Sequence, residues 1–141
     1  RRARRRALQA LYQWCLTGQD VGEIIAQFKE FQDFSNVDAE LFTNLVRKVS
    51  AGQATLDEKI LPFLDRPVEQ LDVIEHVILN IATFELLHSI ELPHQVVIDE
   101  AVNLAKQFGA EQGHSFVNGV LDKAARQWRD PGNFSPLDSP G

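Results

Sequence analysis

Five guanidinium side chains crowd the start of the chain, at Arg1, Arg2, Arg4, Arg5 and Arg6, interrupted only by Ala3. A guanidinium is planar, stays charged and presents paired N–H donors that match two phosphate oxygens at once, so this block points to recognition of a phosphate backbone. The other charges sharpen that reading. These five belong to a total of 14 Lys and Arg, and the remaining nine face 20 Asp and Glu, so a formal charge of −6 conceals a cationic end on a strongly anionic body. An anionic body repels nucleic acid everywhere except at that end, which makes binding directional. A basic run is equally compatible with a solvated terminus or a targeting remnant.

Helical phase adds neighbours to the arginines. With residues 2–17 helical, Arg2, Arg5, Gln9 and Tyr12 recur at intervals of three, four and three beside an apolar face of Leu8 and Leu11. Cation, amide and aromatic ring on one stripe supply phosphate neutralisation, a base-edge hydrogen-bonding group and a stacking surface, which unpaired RNA requires. The competing reading is a boundary stripe, with Tyr12 tucked against the next helix and Gln9 solvated. Phe63, in the break between Pro62 and Pro67, is either an exposed platform or a plug at the end of the bundle. Phe116 lies about 100° from the seam of Val117, Val120 and Leu121, near a helix N-terminus whose free amides favour a phosphate. Periodicity alone prefers core for it. Gly119, inside a helix, predicts close approach of another backbone.

Catalytic chemistry has little to stand on. His76 and His88 are twelve residues apart, no HExxH run occurs, and one cysteine cannot build a zinc cluster. His114 and Ser115 are adjacent in sequence, which is not a triad geometry. Asp99 and Glu100 point about 100° apart on a helix. Gly109, Gly113 and Gly119 fit neither a dinucleotide fingerprint nor a phosphate-binding loop. No catalytic residue, metal site or cofactor is expected.

The elements that position these groups read as all-α. Expected helices cover about 2–17, stopped by Gly18; 21–31, burying Ile24, Ile25, Phe28 and Phe31; a third opened by Ser35 with Asp38 and running through Leu41, Leu45 and Val49 past Gly52; 73–88; a fifth from Pro93 to Gly109; and 112–128. Asp72 caps the 73–88 helix, with Glu75 as its partner in a variant capping box. That helix is apolar almost all round, so it belongs at the centre of a bundle. Cys15, among Ala7, Leu8, Leu11 and Trp14, reads as a small core residue. No stretch approaches the ~20 apolar residues of a membrane span, and a lone cysteine suits a reducing cytoplasm. The chain has no methionine, so residue 1 is not expected to be the biological start. The stretch after Asp130, PGNFSPLDSPG, holds three of the six prolines and is expected to be a mobile tail, 130–141.

Three separated blocks carry a family resemblance. The run PHQVVIDEAVNLAK from Pro93 to Lys106, followed by FGAE from Phe108 and HSFVNGVLDK from His114 to Lys123, resembles the C-terminal signature of the NusB family of transcription antitermination factors. RARRRALQALY from Arg2 to Tyr12 is similar to that family's first helix, and LDVIEHVILNIATFEL from Leu71 to Leu86 to its central helix. The resemblance runs in order from residue 2 to about 128. It implies about seven helices in two packed helical subdomains, about 1–62 and 63–129, within one domain.

The function implied is RNA binding without catalysis. NusB-like proteins bind single-stranded boxA RNA of ribosomal RNA leaders together with NusE, a protein of the small ribosomal subunit, and join an RNA polymerase antitermination complex. Carried over by position, Arg2, Arg4, Arg5 and Gln9, with Arg1 extending the block, are expected to face RNA, and Phe63, Gln112 and Phe116 to continue that surface. Tyr12 and Glu75 are expected to dock NusE, as acidic surface receiving a basic protein. Ser115, Gln112 and Asn80 depart from residues common in relatives, respectively lysine, an acid and arginine. Two alternatives accompany this reading. One is the NusB-like RNA-binding domain of a ribosomal RNA cytosine methyltransferase, against which the proline-rich ending is taken to argue; the other is a protein-interaction module without RNA. Self-association as a homodimer and a monomeric state are both compatible with the sequence.

Overall fold

The computed structural model describes residues 1–129; the expected tail, 130–141, lies outside them. Six α-helices follow one another, α1 (Arg2–Thr17), α2 (Val21–Phe31), α3 (Ala39–Ile60), α4 (Val73–His88), α5 (His94–Phe108) and α6 (Gly113–Arg129). No strand occurs among the described residues. The count is six rather than about seven because the segment around Pro62 and Pro67 holds only two single 3-10 turns, Leu61–Phe63 and Val68–Gln70. Proline lacks the N–H a longer helix would need there.

Local chemistry sets the helix ends. Gly18 closes α1 in the left-handed region at φ 69°, its N–H donating to the Trp14 carbonyl. Asp38, not Ser35, caps α3, its carboxylate accepting the Leu41 N–H at 3.0 Å. Asp72 accepts from the Glu75 N–H at 3.3 Å as the sequence predicts. At the other end of α4, the Arg129 guanidinium of α6 donates to the carbonyls of Glu85, Leu86 and Ser89 at 2.9–3.1 Å and to that of Leu92. One side chain thereby adds donors to the carbonyls at this helix end, two of which, Glu85 and Ser89, also accept backbone N–H groups.

Packing converges on α4, which meets α1, α3, α5 and α6. Its Val77, Ile78, Leu79, Ile81, Ala82 and Leu86 are buried, and each large one contributes about 1.5–3 kcal/mol over exposure. Polar residues in so dry a helix need partners. Asn80, fully buried, donates to Asp57 Oδ1 at 2.8 Å and accepts from Gln53 Nε2 at 2.9 Å, and His76 Nε2 lies 2.7 Å from the same Asp57 oxygen.

Three expected core positions are not core. Phe31 is 74% exposed, because α2 ends there and its last turn overhangs the bundle. Cys15 is exposed although it shares the helical phase of Leu8 and Leu11, being in the last turn of α1, with its sulfur 3.9 Å from Gln53 Nε2. Gly119 faces open space rather than a neighbouring backbone.

Candidate nucleic-acid interface

The first turns of α1 sort the arginines by direction, because side chains three and four apart share a face while intervening ones point elsewhere. Ala3, Ala7 and Leu8 are buried, and Arg4, on the same face, is carried inward with them to 9% exposure. There it meets Glu85 of α4, itself 2% exposed, in a two-pronged pair: Nε to Oε1 at 2.9 Å and Nη2 to Oε2 at 2.7 Å. Hydrogen bonding to Glu85 raises the Arg4 pKa despite burial. Arg4 is therefore a structural cation rather than the RNA-facing one the sequence suggested. Two of its five N–H donors hold the internal carboxylate, and at 9% exposure little of the group faces solvent. Glu85 was the missed residue; a carboxylate in a nearly continuous apolar helix had to find an internal cation.

Arg1 swings toward α5, its Nε and Nη2 each 3.3 Å from Glu100 Oε2, on an exposed edge. The other three arginines stay together. Arg2 is exposed, Arg5 and Arg6 half-buried, and all three line an open pocket of about 210 Å³ with Asp33, Ser35, Asn36 and Val37 of the α2–α3 connection. Arg6 Nη1 donates to Gln9 Oε1 at 3.3 Å, joining the cationic pocket to the next turn of the stripe. Gln9 and Tyr12 then line a second, neutral groove of about 410 Å³ with Gln13, Leu16, Thr17, Phe28 and Gln32. Tyr12 is 37% exposed and Leu16 58%, so the stripe ends in apolar surface.

Glu75 is not on an acidic docking surface. It is 8% exposed and packs at the N-terminus of α6, where a Cβ on Gly113 would collide with its carboxylate. Burial, and secondarily the neighbouring Asp72 charge, push its pKa up. Gly113 follows Gln112, an exposed residue at φ 71°, so this corner is built around a close approach that a side chain at 113 would block.

The two aromatics lie against opposite ends of α6, Phe116 in its first turn and Phe63 beside its last. Phe63 packs edge-on against Trp128 with centroids 5.6 Å apart, and Arg66 lies over the Phe116 ring, 4.7 Å from its centroid. Both rings are part-buried against the core, so each combines plug and platform. Glu75 and Glu85 mark the two ends of α4, ten residues and about 15 Å apart along the axis. The structure gathers Arg2, Arg5 and Arg6 in one pocket and leaves Gln112 and Phe116 around the start of α6 and Phe63 beside its end, so the expected RNA-facing residues do not form one compact site. Among the described residues no group of three or more His, Cys, Asp or Glu is placed to hold a metal, and no helix is long and apolar enough to cross a membrane.

Comparison with known proteins agrees with this architecture. A sequence model of the NusB family matches residues 1–126. The chain is 49% identical over 128 residues to the transcription antitermination protein NusB of Xanthomonas axonopodis pv. citri, covering 91% of this chain and 80% of that protein. Its likeness to the counterpart in Xanthomonas oryzae pv. oryzae is also 49% over 128 residues, covering 82% of that protein. Among solved structures, T. maritima NusB superposes with a TM-score of 0.79 at 29% identity, covering 95% of this chain and 96% of the other. A chain in a crystal structure of antitermination factors NusB and NusE with double-stranded RNA gives 0.79 at 26% identity, covering 89% of this chain and 95% of that one.

Proposed function

The chain belongs to the NusB family, and from that premise we propose that it is a non-enzymatic, RNA-binding transcription antitermination factor acting together with NusE. The observation that carries the reading is the pocket of Arg2, Arg5 and Arg6 at one end of an otherwise anionic chain. Three guanidiniums in a concave, solvent-open site neutralise a phosphate backbone where scattered surface cations would not. The neutral groove that continues along α1 adds amides and the Tyr12 ring.

The ligand proposed is single-stranded boxA RNA of ribosomal RNA leaders, and the setting is the RNA polymerase antitermination complex in the cytoplasm. Unpaired bases can stack on exposed rings and present their edges to amides, which a duplex does not allow. Arg2, Arg5 and Gln9 receive one part of the strand; Gln112 and Phe116, at the start of α6, and Phe63, beside Trp128 near its end, receive others. Tyr12 and the apolar surface around Leu16 are the proposed NusE contact. Glu75 leaves that role, and Arg4 leaves the RNA role.

The test is a binding titration of a boxA-containing single strand, a scrambled strand and a duplex of the same sequence, each with and without NusE. Preference for the boxA strand, strengthened by NusE, is expected. Equal affinity for the scrambled strand, or stronger binding of the duplex, overturns the proposed ligand.

A further inference from the structure

The second wall of the arginine pocket has chemistry that a plain phosphate cradle would lack. Facing Arg2, Arg5 and Arg6 are Asp33, Ser35 and Asn36. The wall is firmly built. Phe34 turns inward edge-on to Phe42 with centroids 5.0 Å apart, Val37 N–H donates to the Phe34 carbonyl at 3.1 Å, and Ser35 N–H donates to Asp33 Oδ1 at 2.9 Å. Asp33 is exposed, and its hydrogen bonds from Ser35, the backbone amide first, hold its pKa below the ordinary 3.8. It is therefore charged at neutral pH and can only accept hydrogen bonds.

Three arginines beside one carboxylate would ordinarily close into an ion pair. Here Arg6 Nη2 reaches the Asp33 backbone carbonyl, at 3.5 Å, and no ion pair joins the Asp33 carboxylate to an arginine among the described residues. A carboxylate kept open in this position repels a bare phosphate and attracts N–H donors. A ligand that satisfies both walls must carry an anion and, a few ångströms away, a neutral donor. An unpaired nucleotide does so best when its base has an exocyclic amine with two N–H donors, as cytosine, adenine and guanine have, whereas uracil offers only its single ring N3–H.

We infer that the α2–α3 connection is the base-selecting wall of the RNA groove: Asp33 accepts an exocyclic amine while Arg6 joins Arg2 and Arg5 on the phosphate. This deepens the RNA-binding reading and rests on it. Asp33→Asn is the informative change, because the amide oxygen still accepts from the Ser35 N–H while the charge is removed. Binding of 12-nucleotide oligo(C), oligo(A) and oligo(U) to the full chain is measured at low salt by fluorescence anisotropy.

Wild type is expected to bind oligo(C) and oligo(A) at least about fivefold more tightly than oligo(U), the range of one good base contact. Asp33→Asn should narrow that ratio to under about twofold while oligo(U) binding holds or tightens. Arg6→Ala should weaken all three alike, leaving the ratio in place. An unchanged ratio in Asp33→Asn, equal tightening of all three oligomers, or no preference in the wild type overturns the role of Asp33. Wild type that binds the boxA strand but none of the three overturns the role of Asp33, whereas binding of none of the four overturns the RNA reading itself, a distinguishable result.

Discussion

Replacing Arg4 by alanine separates folding from binding more sharply than any other single change. Glu85 would remain 2% exposed with its two hydrogen bonds to the guanidinium gone. Removing one partner of a buried ion pair costs about 3–5 kcal/mol, because the remaining charge is left in a dry interior. That is a large share of the roughly 5–15 kcal/mol that holds a domain folded. At about 4 °C per kcal/mol for a chain of this size, Tm should fall by roughly 12–20 °C. Urea and thermal unfolding followed by far-UV circular dichroism measure the loss. RNA titration well below the new Tm should show affinity close to wild type. A double change, Arg4→Met with Glu85→Leu, should recover most of the stability, since a well-packed apolar pair replaces a pair whose desolvation cost is high. The reasoning is refuted if Arg4→Ala costs less than about 1 kcal/mol, the range of an exposed pair, and lowers RNA affinity as much as Arg2→Ala does.

Four further outcomes follow from the geometry. Arg2→Ala with Arg5→Ala should leave stability within about 0.5 kcal/mol. The same pair should reduce the slope of log K against log salt by about 1.4, the contribution of two phosphates on a single strand; an unaltered slope removes the pocket from the interface. Glu75 has its folded pKa raised above the ordinary 4.5 by burial and Asp72, so the native state holds a proton more tightly than the unfolded chain. Its contribution therefore falls as pH rises from about the unfolded value through the folded one, and Glu75→Gln should stabilise more at pH 7.5 than at pH 4, read from urea midpoints. Gly113→Ala should destabilise by about 1–3 kcal/mol through the collision with the Glu75 carboxylate, and Glu75→Ala in the same chain should relieve it. Phe116→Ala should remove about 1–3 kcal/mol of RNA affinity if a base stacks there, whereas Phe63→Ala should chiefly lower stability through loss of the Trp128 contact; the reverse pattern in paired melting and binding curves would exchange their roles.

Much of the fold was legible because its determinants are local. Gly18, Asp72, Pro93 and Gly109 delimit helices through backbone rules that act within a few residues, and the ends of α1, α2 and α4 stand where those rules place them. The error at α3 was also local: Ser35 and Asp38 are both good caps, and only the chain direction after Phe34 decides for Asp38. Periodicity placed Leu8, Leu11, Ile78 and Leu121 inside correctly. It failed for Phe31 and Cys15, because apolar character does not say where the neighbouring helix ends.

The candidate site divides in the same way. The arginine block, its helical stripe with Gln9 and Tyr12, and the anionic remainder follow from composition and phase, so the sequence by itself determined that one end of the molecule carries clustered cations. Which of those guanidiniums stay open to solvent was decided by tertiary structure. Arg4 and Arg5 are adjacent and chemically identical, yet one is drawn inward to Glu85, 81 residues away, and the other is left beside Asn36. The same packing buried Glu75, set Phe63 and Phe116 against opposite ends of α6, and placed Asp33 among the cations. Charge and period belong to the chain, but desolvation and pairing depend on what lies across the core, and that is known only once the helices have met.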